Sequence, residues 1–226
     1  MASCVIQQPD LNTYHSADET PDSMDHTSTT PRDTNMIILP APNLKGPMTL
    51  EETMSKRRSV RSFQDLPLTE AQIGQLLWAA QGITHPSGFR TAPSAGALYP
   101  LELYAATTEG LFHYDPQEHR LIEVLKHDPR PDLHRAALRQ DSVLEAPLVI
   151  VITAVFSRTE QRYGDRTTLY VHLEAGHAAQ NILLQVVALD LGAVPIGAFY
   201  DDQVINALSL PADHAPLYLI PIGHPK

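Results

Sequence analysis

Cysteine, long apolar runs and positive charge are what this sequence has least of. Its one cysteine, Cys4, cannot close an internal disulfide or build a thiolate metal cluster. No stretch approaches the about 18 apolar residues of a membrane-spanning helix. Only Cys4, Val5 and Ile6 form an apolar start, too short for a signal peptide, so a cytoplasmic protein with no membrane partner is expected. With 16 Lys+Arg against 26 Asp+Glu the net charge is −10, the wrong sign for a general nucleic-acid binder. H-E-x-x-H, G-x-S-x-G, the P-loop and G-x-G-x-x-G are all missing. Glu174-x-x-His177 has the spacing of a di-iron ligand pair, but that site needs a second pair and further glutamates. No metal is expected.

What is there describes a globular chain. Its 226 residues, 43% apolar and 19% charged, suffice for one domain with its own core. The charge is uneven. Residues 1–35 hold Asp10, Asp18, Glu19, Asp22, Asp25 and Asp33 against Arg32 alone, in a Ser/Thr/Pro-rich stretch without apolar periodicity. Residues 1–36 therefore read as an acidic, flexible tail, and 37–226 as the folded domain.

Within that domain, Thr49/Glu52 and Thr69/Gln72 are capping-box pairs. The first starts a short helix to about Arg58. The second starts one carrying Ile73, Leu76, Leu77 and Ala80 and ending at Gly82. Residues 83–100 read as loop, and Leu101–Thr107, Leu111–Tyr114 and Arg120–Lys126 as strands. A helix follows over Asp132–Gln140, then a β-branched run, Leu148–Val155, that suits a central strand covered on both faces. The longest helix is expected over 167–191, burying Leu169, Leu173, Gly176, Gln180, Leu183 and Val187. Strands and helices in this order predict an α+β sandwich.

Three segments carry candidate chemistry. Lys56-Arg57-Arg58-Ser59-Val60-Arg61 packs four cations into six residues. It reads either as a solvated helix end, where cations are favoured, or as a clamp for a phosphate. Ala92-Pro93-Ser94-Ala95-Gly96-Ala97 is a run of small residues, either a tight connection or a place where bare backbone approaches a flat ligand. Pro195-Ile196-Gly197-Ala198-Phe199 offers the same choice between a bend and a cofactor-facing backbone.

In order along the chain, five segments resemble the nitroreductase family of flavin enzymes, in particular its SagB-type dehydrogenase subgroup. They are Arg57 to Phe63, Pro93 to Pro100, Glu174 to Asn181, Gly192 to Phe199, and Ile222 to Pro225. Tyr14-His15 is similar to a Tyr-His found upstream in that subgroup, which implies a partly ordered tail. The resemblance implies a three-layer sandwich with a mostly antiparallel central sheet, and a homodimer binding two FMN at its interface, with the long helix in that interface. It implies that Arg57 and Ser59, beside Arg58, hold the phosphate and ribityl chain. Arg61 would lie near the flavin N1/C2 edge, where a guanidinium stabilises the charge of reduced flavin. Pro93, Ser94, Ala95, Gly96 and Leu98 would line the flavin, with Pro195, Ile196, Gly197 and Ala198 against the ring. Gly223, His224 and Lys226 stand where a second cation often reaches the phosphate. The implied activity is hydride transfer through flavin N5 between a donor such as NAD(P)H and a small organic acceptor. Alternatives are an azoline-type dehydrogenase acting on peptides and a non-catalytic flavin-binding or sensing module. Azoline oxidases carry a Lys-Tyr pair before the long helix, where this chain has Arg162-Tyr163. Arginine, with a pKa above about 12, is a poor base, which leaves Tyr163 as the candidate for proton transfer or as an interface packing residue.

Overall fold

Both capping boxes form, and each fixes where its helix starts. The computed structural model describes residues 36–226; the expected acidic tail and Tyr14-His15 lie outside the described residues. After strand β1 (Met36–Ile38), Thr49 Oγ1 accepts from Glu52 N, and Glu52 Oε2 accepts in return from Thr49 N, opening α1 (Leu50–Lys56). Thr69 and Gln72 do the same for α2 (Glu70–Gln81). Next come β2 (Leu101–Thr107), β3 (Leu111–Asp115), β4 (Arg120–Leu125), α3 (Arg130–Ala136), α4 (Asp141–Glu145) and β5 (Leu148–Ala154). The chain ends with α5 (Ser157–Tyr163), α6 (Thr167–Ala188), β6 (Gly192–Ala193), α7 (Asp201–Leu208) and β7 (Ala215–Gly223).

The strands form one sheet in the order β1-β4-β3-β2-β5-β7-β6, with every ladder antiparallel. β5 is buried along its whole length, and its side chains divide by the strand period of two. Leu148, Ile150 and Ile152 join Leu76, Leu77, Ala175 and Ile182 under α2 and α6. Val149 and Val151 face Leu133, Val143, Val204 and Leu208 of α3, α4 and α7. The result is the expected α+β three-layer sandwich. No helix among the described residues is long and apolar enough to cross a membrane.

Three local expectations are corrected. The helix expected over 132–140 starts at Arg130 and stops at Ala136, because Leu138 and Arg139 turn left-handed (φ 56° and 58°) and Arg139 N bonds back to His134 O, and α4 begins only at Asp141. The long helix stops at Ala188, with Asp190 left-handed at φ 54°, so Gly192 is not its cap. Gly192 is instead a close-approach glycine in β6, where a Cβ would meet Val60 at 2.7 Å. The apolar stripe expected to be buried holds at Leu183 but not at its N-terminal end. Leu169 and Leu173 are 44% and 50% exposed, while Val171, Ala175, Ala178, Ile182 and Val186 face the core. One apolar row of α6 thus packs on the sheet, and its N-terminal leucines point outward.

Candidate functional site

The cationic segment leaves α1 as an extended strip clamped at the far edge of the sheet. Ser59 pairs in parallel with Ala193, and Val60 N donates to Ala193 O at 2.9 Å. Farther on, Gln64 N donates to His224 O at 2.8 Å, Phe63 pairs with Pro225, and Lys226 N donates to Ser62 O. Gly192 and Gly223 permit this contact: a Cβ on Gly223 would meet Pro147 at 2.7 Å and Phe63 at 3.1 Å. Three separate sequence segments, 57–63, 192–197 and 223–226, thus converge.

Within the strip the cations divide into free and engaged. Arg58 Nη1 donates to Ser55 O and Arg57 O, capping the end of α1, as the helix-end reading of the run expects. Lys226 Nζ lies 3.0 Å from Glu145 Oε2, an oxygen that also accepts from Ser62 Oγ and Phe63 N. The Lys226 side chain is thereby tied to Glu145 rather than free. Hydrogen bonds from Lys226 and the Phe63 amide hold the Glu145 carboxyl below its usual range. Arg57, half-buried, and exposed Ser59 and Arg61 have no side-chain partner among the described residues. A cleft of about 370 Å³ beside them is lined by Lys56, Arg58, Val60, Asp190, Ala193 and Pro225. A larger one, about 590 Å³, lies apart from the expected site residues, between the 41–50 segment, α2 and the C-terminal half of α6.

The backbone after Ala193 runs along β7, with Ile196 paired to Leu219 and buried. Gly197 and Ala198 are exposed, and a Cβ on Gly197 would have only Tyr218 near, at 3.9 Å. This is an open strip of bare backbone continuous with the cations.

The small-residue loop is built differently. Gly96, Ala97 and Tyr99 all have positive φ (62°, 55° and 47°), and two of them are not glycine. Such strain persists only where the surroundings fix it, and it gathers at functional sites. Pro93, Gly96 and Ala97 are exposed, while Ser94, Ala95 and Leu98 are partly covered. From α5, Tyr163 Oη and Arg162 Nη1 rest on Gly96, where a Cβ would meet them at 2.9 and 3.1 Å. Tyr163 also packs edge-on against Tyr170, at 5.0 Å between centroids.

These two groups of residues do not meet within one chain. Ser59 sits beside Ala193, which pairs with Ile222, which pairs with Leu148. The loop enters the sheet at Leu101, opposite Ala154, at the other end of β5. Seven residues of strand put those ends about 20 Å apart. α6 gives the same separation: Ser94 acts on Glu174, while the cationic strip lines a cleft with Val187, about 20 Å farther along the helix.

Under the loop lies a polar group that local sequence did not point to. Glu174 of α6 is 2% exposed, and burial pushes its carboxyl up to about 7 against the opposing pull of Ser94, Arg90 and Gln81. Arg90 Nη1 donates to Gln81 Oε1 at 2.9 Å, its guanidinium lies 4.5 Å from the Tyr99 ring centre, and burial lowers its pKa. In the sequence Glu174 was read as half of a failed metal motif and as the first residue of the resembling segment Glu174 to Asn181, without a role of its own. The signal that could have found it is its place on the face shared by Val171, Ala175 and Ala178. A second unforeseen cluster sits at the start of β2, where Glu102 contacts His113 at 2.7 Å and Arg158 at 2.5 Å. Burial pushes Glu102 up, but these two hydrogen bonds outweigh it and hold the carboxyl at about 2.

The nitroreductase family model matches residues 54–224, from the C-terminal half of α1 to the residue after β7. The chain belongs to the nitroreductase family. Nitroreductase relatives cover nearly the whole described domain. The chain is 42% identical over 180 residues to "Putative nitroreductase MJ1384" of Methanocaldococcus jannaschii, covering 77% of this chain and 90% of that protein. A crystal structure from Ralstonia eutropha JMP134 with the same description superposes with a TM-score of 0.78 at 33% identity, covering 84% of this chain and 90% of that one. The NADPH:FMN oxidoreductase of Vibrio harveyi, solved with NAD+, is similar at 25% identity with a TM-score of 0.59, covering 78% of this chain and 69% of that one. The protein is an oxidoreductase of this family.

Proposed function

We propose that the protein is an FMN-dependent oxidoreductase that takes hydride from NAD(P)H and passes it to a small organic acceptor, working as a homodimer with the flavin between protomers. One observation carries this reading. Arg57, Ser59 and Arg61, without a side-chain partner among the described residues, lie on a strip continuous with the exposed backbone of Gly197 and Ala198, so an anion-binding end and a flat bare end adjoin. The residues fit a flavin mononucleotide. A dianionic phosphate suits free guanidinium and hydroxyl groups, and a planar ring suits a surface where Gly197 has no side chain. When bound, FMN supplies the two-electron hydride chemistry that no side chain provides.

Arg57 and Ser59 would hold the phosphate and ribityl chain, and Arg61 would stabilise negative charge at the pyrimidine edge. Gly197, with Pro195, Ile196 and Ala198, would present backbone to the ring. Arg58, Gly223, His224 and Lys226 act behind this strip: Arg58 closes α1, and the other three fix Ser62 to Gln64 beside it. The loop of Pro93, Ser94, Ala95, Gly96 and Leu98 would come from the second protomer, because its own cationic strip is about 20 Å away, measured in strand residues. The outward Leu169 and Leu173 of α6 suit that contact. The FMN and nicotinamide in the description of the Vibrio harveyi relative support cofactor and donor.

A second reading, within the SagB-type subgroup, is oxidation of an azoline ring in a peptide. The contact of Tyr163 Oη with the Gly96 loop favours it, since a proton acceptor there would stand at the edge of the flavin pocket.

Purified protein should be yellow, and Arg57→Ala should weaken FMN retention at least tenfold in a fluorescence titration, the loss of one charge-assisted contact of about 1.5–3 kcal/mol. A colourless wild type that takes up no FMN would sink the main reading. Flavin reduced by azoline peptide but by neither NADH nor NADPH would move the assignment to the second.

A further inference from the structure

We infer that Arg158 is a positioning residue: from α5 it braces the small-residue loop at Tyr99 and so holds residues 94–98 in the shape they present to the flavin. The inference rests on the reading above in treating that loop as flavin-lining.

Tyr99 is where the loop is pinned. It is a tyrosine in the left-handed region (φ 47°), a conformation that a residue with a side chain keeps only where its surroundings hold it. Each of its polar atoms is engaged. Tyr99 N donates to Ser94 Oγ at 2.9 Å, Tyr99 O accepts from Arg158 Nη1 at 3.1 Å, and Tyr99 Oη accepts from Arg90 N at 3.2 Å. The Arg90 guanidinium lies 4.5 Å from its ring centre. One residue on, Pro100 O accepts from Val155 N at 2.8 Å, which ties the loop's exit to the junction of β5 and α5. Ser94 and Arg90 belong to the same irregular segment as Tyr99, so Arg158 is the side chain that fastens it to a separate element.

Arg158 does this as a fork. While Nη1 holds Tyr99 O, Nη2 lies 2.5 Å from Glu102 Oε1, and the other carboxylate oxygen, Oε2, accepts from His113 Nε2 at 2.7 Å. Glu102, only 14% exposed, is thereby fixed at both oxygens and gives the guanidinium one orientation. A lone surface ion pair would hold little, but a planar fork shared between a covered carboxylate and a backbone carbonyl is directional. The rest of α5 lies along the same loop. Arg162 is four residues from Arg158, on the same face of the helix, and with Tyr163 it covers Gly96, where a Cβ would meet the two at 3.1 and 2.9 Å. The helix thus touches the loop at its left-handed turn and at its end, and the fork fixes the two to each other, Tyr163 included.

Arg158→Met keeps an aliphatic stem and removes the fork from a side chain that is 40% exposed, so the variant should fold. Amide hydrogen exchange of apo-protein peptides spanning 94–100 should rise at least about fivefold, the low end of a typical coupling between sites, while β5 and the urea midpoint stay as in wild type. Glu102→Gln should loosen the same peptides, and the double variant should be no looser than Arg158→Met, because the carboxylate acts through the guanidinium. With FMN, Arg158→Met should bind about fivefold more weakly. At saturating FMN its visible circular dichroism should differ from wild type, a signature that lost stability alone would not move. Unchanged exchange at 94–100, or a rise that extends through β5, overturns the inference. So does a loosened loop with wild-type FMN affinity and flavin spectrum, since that loop would not position the flavin. A wild type that takes up no FMN overturns the flavin reading instead, and the exchange data then decide alone whether Arg158 holds the loop.

Discussion

Glu174 shows what a single buried carboxyl does to stability. Its ordinary pKa of 4.5 rises to about 7 through burial. The advantage of the neutral form is therefore fully present below about pH 4.5 and lost as pH rises through about 7. Above that, the folded state carries an ionised group in a site that prefers a neutral one. Glu174→Gln should raise unfolding stability at pH 8 by about 1–3 kcal/mol and change it little at pH 5. Urea unfolding at the two pH values checks the sign, and a gain at pH 8 no larger than at pH 5 would remove the pKa argument. Gly96 makes the complementary case for a residue without a side chain. Gly96→Ala meets both a φ of 62° and the ends of Tyr163 and Arg162. It should cost about 1–2 kcal/mol for the backbone, plus the shift of two side chains. Equal losses of melting temperature in the wild-type and Tyr163→Ala backgrounds would mean that Tyr163 does not rest on the loop.

At the scale of elements, what was legible in the sequence was what local chemistry decides. The capping boxes of α1 and α2 are i to i+3 bonds, so Thr49/Glu52 and Thr69/Gln72 announced them without tertiary knowledge. β5 was legible because a strand buried on both faces must be apolar throughout. The break between α3 and α4 was not, since Leu138 and Arg139 turn left-handed with neither Gly nor Pro to mark them. α6 misled for a deeper reason. Periodicity records that a face is apolar, not which surface covers it, so Leu169 and Leu173 read as core although they point away from the sheet. The same limit separates the two parts of the site. The segments 57–61, 93–98 and 195–198 could be read off the chain. The surroundings of buried Glu174 could not, because Gln81, Arg90 and Ser94, which act on its carboxyl, precede it by some eighty residues or more.

At the scale of the whole molecule, the distance between the two groups of site residues decides what the functional unit is. The cationic strip lies by Ile222 and Leu148, the small-residue loop by Leu101 and Ala154, and one protomer cannot fold either across the length of β5. Two copies related by a two-fold axis can, if the axis brings one protomer's loop to the other's strip. α6 is the element that reaches both ends, about 33 Å for 22 residues, and its N-terminal leucines Leu169 and Leu173 are exposed. A charge there leaves the protomer core untouched, since the core row is Val171, Ala175, Ala178 and Ile182. Leu173→Arg should therefore yield a folded monomer with an unchanged far-ultraviolet spectrum that has lost FMN. Light scattering coupled to size exclusion gives the mass, and the visible spectrum gives the flavin. A monomer that still holds FMN as tightly as wild type would mean that one protomer's strip suffices, and that the loop of Pro93 to Leu98 belongs to something other than the flavin site.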